Sequence, residues 1–560
     1  MGMTAAVTTA DVVARHAARH PVTATFAGID GHDARWPDWS LRGLVEQGEE
    51  SAALSHALRV GGALPDPVLE ADRTVAMHAL SLERDELASG HFVRGNPSLW
   101  AGEVAFGLIG LLNDHDEVRL DERTDALLAR LHALDAFLAE APSTMPAATV
   151  PAAMRERALR EGAAVQALVA RGITAWADGV PLSPMRRAAL AEAVAHAQPA
   201  VDRFAHWLAS LPVNSGRPLS PGPQHFEQVV HEGHAVTESI DRLHQEAMAA
   251  LADARTTLNA MVGDLVGDGG WGAVQQQLEA DAESADDYLD SYAREWARCV
   301  EASARVITMP ATEFAVHFTP IPGWAREAQP ALYYLFYRSP APWRWPATYR
   351  YQVPPIDHLA GDAQRARLAQ WNRSQIRLNH VVHHGALGHH RQNHAGARAR
   401  GPMARLAAVD GACRLALHAG GTMAEGWSCY AVDLYEELGL LTPLERVAEQ
   451  HTRVRILCRA LADIALHQDG ASLEAAQAIY ETQAMMPPAA ARAEAVKNAM
   501  FPGMAIMYWL GTRTIHAARR EATVRDGAAF DLRRWHDRLL SYGALPLPMV
   551  VQLMRDGATP

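Results

Sequence analysis

Histidines crowd one short stretch of this chain. His380, His383, His384, His389, His390 and His394 fall within fifteen residues, and Glu425-Gly426-Trp427 follows about thirty residues later. Neutral imidazole nitrogens and a carboxylate oxygen are the usual donors to a tetrahedral zinc ion. Two histidines from one helix and a glutamate from a second would supply three donors and leave one position open. An open position separates a catalytic metal from a structural one. Zinc peptidases normally place a glutamate directly after the first histidine, as general base. Here that residue is His384. An imidazole titrates near neutrality, so His384 reads as a replacement base, or as a further ligand that closes the site. The second ligand is open between two residues. An unbroken helix would return His390 to the face of His383, whereas a bulge at Gly388 would return His389 instead. The chain holds 27 histidines, so some clustering arises by chance. Six in one stretch followed by Glu-Gly-Trp exceed that background.

The elements that must carry these groups read as helices. Residues 125–141 place Leu127, Leu128, Leu131, Leu134, Phe137 and Leu138 at spacings of three and four, and 186–211 and 225–262 behave similarly. The Pro/Ser/Gly-rich stretch from Leu211 to Pro223 reads as a linker, giving units 1–211 and 224–560. Residues 306–355 are rich in proline and aromatics (Trp324, Tyr333, Tyr334, Phe336, Tyr337, Trp343, Trp345, Tyr349, Tyr351). They are expected to form a short sheet or a wall beside the histidine helix. From Gln364 onward helices dominate again. The expected fold is mainly α, with a deep cleft and a small β element. His231-Glu232-Gly233-His234 has a spacing of three and no carboxylate partner motif, so it reads as a solvated helix face. Gly267-Asp268-Gly269-Gly270 follows a helical run and reads as a turn rather than a phosphate loop.

Charge and composition exclude several functions. With 51 basic and 64 acidic residues the net charge is −13. No Lys/Arg block offers a surface for nucleic acid or anionic lipid. Cys299, Cys413, Cys429 and Cys458 form no Cys-x-x-Cys pair, which suits a reducing, cytoplasmic compartment. The start of the sequence carries Asp11, Arg15 and His16 where a signal peptide would be apolar. No run of eighteen apolar residues is present, so no membrane span is expected. Lys497 is the only lysine.

The motifs resemble those of the domain-of-unknown-function-885 family, placed among the zincin-type metallopeptidases. That family's H-E-x-x-P-G-H-H-L-Q and E-G-W-A-L-Y are similar to His383-His384-Gly385-Ala386-Leu387-Gly388-His389-His390-Arg391-Gln392 and Glu425-Gly426-Trp427-Ser428-Cys429-Tyr430. Arg459-x-x-x-Asp463-x-Ala465-x-His467, Pro502-Gly503-Met504-Ala505-x-x-Tyr508-x-x-Gly511, Trp535-His536-Asp537 and Arg94-x-Asn96-Pro97 resemble further family motifs. The resemblance spans nearly the whole chain and implies a zincin-like helical fold. It implies metal ligands at His383, Glu425 and one of the His389-His390 pair. His389 is favoured, because the family's Gly-His step looks like a bulged form of the shorter zincin motif. The departures fall where chemistry would be: His384 for Glu, Leu387 for Pro, Lys497-Asn498 for Arg-Tyr, and Met504 for Gln.

The expected function is a zinc-dependent hydrolase or acyl/amide transferase acting on a specialised small molecule, with little general peptidase activity. His384 and His467 would be catalytic, and Lys497 and Tyr508 would stabilise an oxyanion. Two histidines and a carboxylate also form the facial triad of non-haem iron enzymes, which is the alternative metal chemistry. A non-catalytic binding protein that kept only the fold is a third reading. In that case Tyr508 and His467 are packed core residues, Lys497 is a solvated surface residue and Trp427 serves packing.

Overall fold

Leucine and alanine at helical spacing, with prolines and Asn/Asp/Ser/Thr at the starts, produce a mainly helical protein. The computed structural model describes all of the chain except residues 1–6, 114–116, 146–149, 214–215, 217, 312–313, 327, 329–340, 346–347 and 410–415. The expected helix at 125–141 is Leu120–Ala139, burying Leu127, Leu131, Leu134, Phe137 and Leu138. The 186–211 pattern is Pro184–Ser210. The 225–262 pattern is interrupted. A short helix Pro223–Gln228 widens into a π-helical turn, Val229–Gly233, and a new helix starts at Ile240 under a Ser239 cap. His234 sits at that break, fully buried, and donates from Nε2 to the Gly503 carbonyl at 2.8 Å. The solvated-face reading of His231–His234 is therefore corrected: helical periodicity does not reveal where a helix ends. Gly267–Gly269 is a turn between two helices, as expected.

The β element is one parallel pair, β1 (Val316–Pro320) and β2 (Tyr349–Val353), in register Val316↔Tyr349 to Pro320↔Val353. It lies beside the histidine segment, since the Tyr351 hydroxyl meets His380 Nδ1 at 2.5 Å. Of the aromatic cluster, Tyr333, Tyr334, Phe336 and Tyr337 lie outside the described residues.

The stretch 211–223 separates helices, but the core crosses it. One apolar cluster joins Val12, Phe26 and Val75 to Tyr351, Val381, Trp427 and Leu539. Asp72 accepts from the backbone N–H of Ala404, and Glu86 faces His418 Nε2 at 2.9 Å.

Three motifs set the helix packing around the site. The long helix Pro443–His467 begins with a capping box, in which Thr442 and Glu445 satisfy each other's backbone N–H groups and Pro443 takes the first helical position. Its residues Arg459, Asp463 and His467 recur every four positions along one face. Arg459 grips Glu494 through two nitrogens, at 3.0 and 2.7 Å. Asp463 accepts from the N–H groups of Gly503, Ala505 and Ile506. His467 donates to the Asn498 carbonyl at 3.0 Å. That stripe clamps helix Pro488–Met500 and the turn after it. Elsewhere, helices Gly421–Glu437 and Met507–Asp526 touch backbone to backbone. A Cβ at Gly511 would stand 2.2 Å from the Thr422 carbonyl oxygen, and one at Gly426 would stand 2.5 Å from Gly511 Cα.

Two predictions follow from this packing. Gly511→Ala should cost about 1–3 kcal/mol, the usual penalty for overpacking, read as a lowered denaturant midpoint at constant slope. An unchanged midpoint would show that the close crossing is not needed. The second concerns acid. Burial holds His380 and His390 at about 3 and His234, His467 and His536 at about 4. The unfolded chain takes up these protons near pH 6.5. Their folded values are depressed, so the stability they carry is complete above pH 6.5 and is lost as pH falls toward 4. Melting temperature should drop steadily over that window, and His536→Gln should flatten the drop. A flat profile from pH 6.5 to 4.5 would contradict this.

Candidate metal centre

The histidine segment is two helices with a break between them. Gln375–Ala386 is wound as a π-helix, and Gly385 leaves helical geometry at φ −105°, ψ −126°. A second helix, His389–Gly396, starts after Gly388. At Gly388 the backbone folds back on the preceding turn. A Cβ there would lie 1.8 Å from the His383 carbonyl oxygen, so only glycine fits. The Trp427 indole N–H donates to the Leu387 carbonyl at 2.7 Å and pins the break from the second helix. Trp427 is fully buried, which answers its role: it holds the corner that aims His389.

The break decides between the two candidate ligands. His389 Nε2 lies 3.3 Å from Glu425 Oε2, and His383 Nε2 lies 3.5 Å from the same oxygen. His390 turns the other way. Its Nε2 donates to the Phe314 carbonyl at 2.8 Å, and its ring packs on Phe314 and Tyr349. His384 stands beside the two histidines rather than Glu425, since His383, His384 and His389 each bring a ring nitrogen within 4.8 Å of the others. The His384 Nδ1–H is given to the Asn379 carbonyl at 2.7 Å, so Nε2 carries the lone pair.

The donor set fits a cation. Glu425 Oε2 is buried and has no properly formed hydrogen bond. Burial alone would raise the Glu425 carboxyl, but the facing imidazoles of His389 and His383 outweigh it and hold it well below the usual carboxylate range. Burial pushes His383 down and His384 well down, so both rings are neutral at pH 7. Neutral imidazole and ionised carboxylate are the forms that bind metal. Donors about 2.0–2.1 Å from a tetrahedral zinc stand about 3.3 Å from one another, close to the separations from Glu425.

This group opens into a cavity of about 880 Å³. Tyr508 and Lys497 line it. Burial, and then the charge of Glu425, push the Tyr508 phenol well above its usual range, so it stays protonated. The Arg459 guanidinium lies over its ring, 4.8 Å from the centroid. His467 is elsewhere. It is absent from the cavity lining, its Nδ1 takes the Ser220 hydroxyl at 2.9 Å, and its role is the clamp described above. Sequence reasoning missed Arg455, Arg459 and Glu449 as cavity residues. Their signal was available in the spacing of four between Arg455 and Arg459. His16, His20 and Glu83 form a second group of possible donors on the cavity wall. There the Glu83 carboxylate is already taken up by Arg15, Gln47 and Ser51, which donate to it.

Comparison with solved structures supports the fold. A "putative lipoprotein of unknown function" from Shewanella oneidensis is 19% identical with a TM-score of 0.75, covering 98% of each chain. A "putative lipoprotein" from Colwellia psychrerythraea is 16% identical with a TM-score of 0.77, covering 99% of each chain. These descriptions conflict with the cytoplasmic location expected from the cysteines, and that expectation is withdrawn. The described cysteines, Cys299, Cys429 and Cys458, are buried and free, a state that packing alone explains in any compartment. No curated protein matches the sequence. The profile of the family described as "Bacterial protein of unknown function (DUF885)" matches residues 21–554, and the chain belongs to that family.

Proposed function

We propose that this chain is a metal-dependent hydrolase or acyl/amide transferase for a small carbonyl substrate, with a zincin-type centre in which a histidine replaces the usual glutamate. The observation that carries this reading is the Glu425 carboxylate faced by His383 and His389 in the lining of a large cavity. A metal held there by His383, His389 and Glu425 would polarise a carbonyl or activate a water. The chain's own groups complete the chemistry. Tyr508, held protonated, donates to an oxyanion as it develops. Arg459, anchored by Glu494, keeps the Tyr508 ring in place. The apolar part of the lining, including Phe106, Met500 and Met507, limits water.

His384 takes a different part from the base role that its position suggests. A general base works best with a pKa near the operating pH, and burial drives His384 well below 6.5. A neutral ring with Nδ1–H committed to a carbonyl is well suited to donate through Nε2. We assign it as a fourth donor. Three imidazoles and one carboxylate also suit iron and other first-row metals when positions for water or substrate are added. The placement of His384 favours that second reading, a non-haem-iron-type centre, over ordinary peptide hydrolysis.

Metal analysis of the purified full-length protein tests the cage. About one zinc or iron per chain is expected from a single site. His383→Ala, His389→Ala and Glu425→Ala should lose most of it, whereas His390→Ala should keep it. Full occupancy in all four variants would refute the ligand set. His384 is tested separately: His384→Ala should weaken metal affinity by at least about tenfold, the effect of losing one donor. Unchanged affinity in that variant would return His384 to a base role. His384→Glu should gain little peptide hydrolysis, and a strong gain would show that the cavity is still a peptidase cleft.

A further inference from the structure

The cavity that the histidine cluster lines also carries a cation with no ion-pair partner among the described residues. Arg455 lies on helix Pro443–His467 and lines the cavity. Its Nε is buried without a hydrogen-bond partner, and no described residue forms an ion pair with it. The neighbouring arginines of that helix behave differently. Arg453 is paired with Asp433 and Glu436, and Arg459 is paired with Glu494. A buried guanidinium left unpaired is costly, and it cannot shed its proton to escape the cost.

Lys497, the only lysine, lies on the adjacent helix Pro488–Met500, three residues after Glu494, and lines the same cavity. The nearby acids do not cancel these charges. Glu494 is committed to Arg459, through two hydrogen bonds. Glu449, on the same helix as Arg455, is pushed up to about 8 by burial and is mostly protonated at pH 7. Two cations therefore face a cavity that Tyr508 and Glu425 of the candidate centre also line.

We infer that Arg455 and Lys497 form an oxyanion subsite that holds a carboxylate or phosphate of the substrate while its carbonyl lies at the candidate metal centre. This rests on the proposed function for the position of the reacting carbonyl, but the subsite itself stands on the two cations. A guanidinium and an ammonium converging on one cavity make charge-assisted hydrogen bonds to oxyanions. The cavity of about 880 Å³ admits a small molecule. The substrate class is thus a small acid: an amide or ester that carries a carboxylate or phosphate away from the bond that reacts.

Calorimetric titration of the full chain with N-acetylalanine, N-acetylalaninamide and inorganic phosphate tests this. Each titration is run on chelator-treated and on zinc-loaded protein, so that affinity for a metal is separated from affinity for the subsite. The acid should bind at least about tenfold tighter than the amide in both forms, the effect of one charge-assisted contact. Arg455→Gln and Lys497→Gln should each remove about that factor for the acid and leave the amide unchanged, and Arg455→Lys should restore part of it. Phosphate binding more tightly than the acid would identify a phosphoryl substrate. Equal binding of acid and amide in the wild type, binding of neither, or unchanged acid affinity in both Gln variants would overturn the subsite. If discrimination persists in a protein that takes up no metal, the subsite stands and the metal reading falls.

Discussion

A carboxylate shut away from water stays ionised only if positive charge or hydrogen-bond donors face it. Glu425 is in that situation, and much of the surrounding structure can be read as the means of facing it. Its Oε2 looks at two imidazole nitrogens at 3.3 and 3.5 Å rather than at a hydrogen-bonding network. For those rings to arrive, a helix has to break and resume within a few residues. Gly388 lets the backbone close on the His383 carbonyl, and Trp427, two residues beyond Glu425, holds the corner. The carboxylate and the break that aims its partner are thus set by one short motif.

The second requirement is that the helix carrying Glu425 stay in register with its neighbours. Gly426 and Gly511 provide this through a contact that admits no side chain. Because Tyr508 lies one turn before Gly511, the same crossing sets its place in the cavity. The Arg459, Asp463 and His467 stripe does the equivalent for helix Pro488–Met500, and so for Lys497. Residues of the family motifs divide into those that face the cavity and those that hold the helices facing it. Asp463 and His467 belong to the second kind.

The helical fold was legible from the spacing of Leu127, Leu131 and Leu134 and of many residues like them, because amphipathic periodicity is a local property. The pairing of His383 with Glu425 was also legible, since few other roles suit those types in that order. The choice between His389 and His390 was not legible in the spacing, because it depends on the path of the backbone at Gly385 and Gly388, and only the family resemblance favoured His389. His234 was misread for the same reason: its helix ends beneath it, and the Gly503 carbonyl that receives its N–H is distant in sequence. His467 shared the spacing of a functional motif, and only the position of Asn498 shows that its ring is a tie. Lys497 stood out as the only lysine, but Arg455 was hidden, because whether an arginine is paired depends on tertiary neighbours. The location of the protein was not legible in its cysteines, since isolated buried thiols are stable wherever packing protects them.

The proposed function requires that His383, His384, His389 and Glu425 converge on one metal ion. Anomalous diffraction from crystals of the purified protein, collected on both sides of the zinc and iron absorption edges, tests it most directly. A single anomalous peak bonded to Glu425 and to Nε2 of His383, His384 and His389 is expected, with His390 turned to Phe314. A peak bonded to His390, or metal-loaded crystals with no peak beside Glu425, would contradict it.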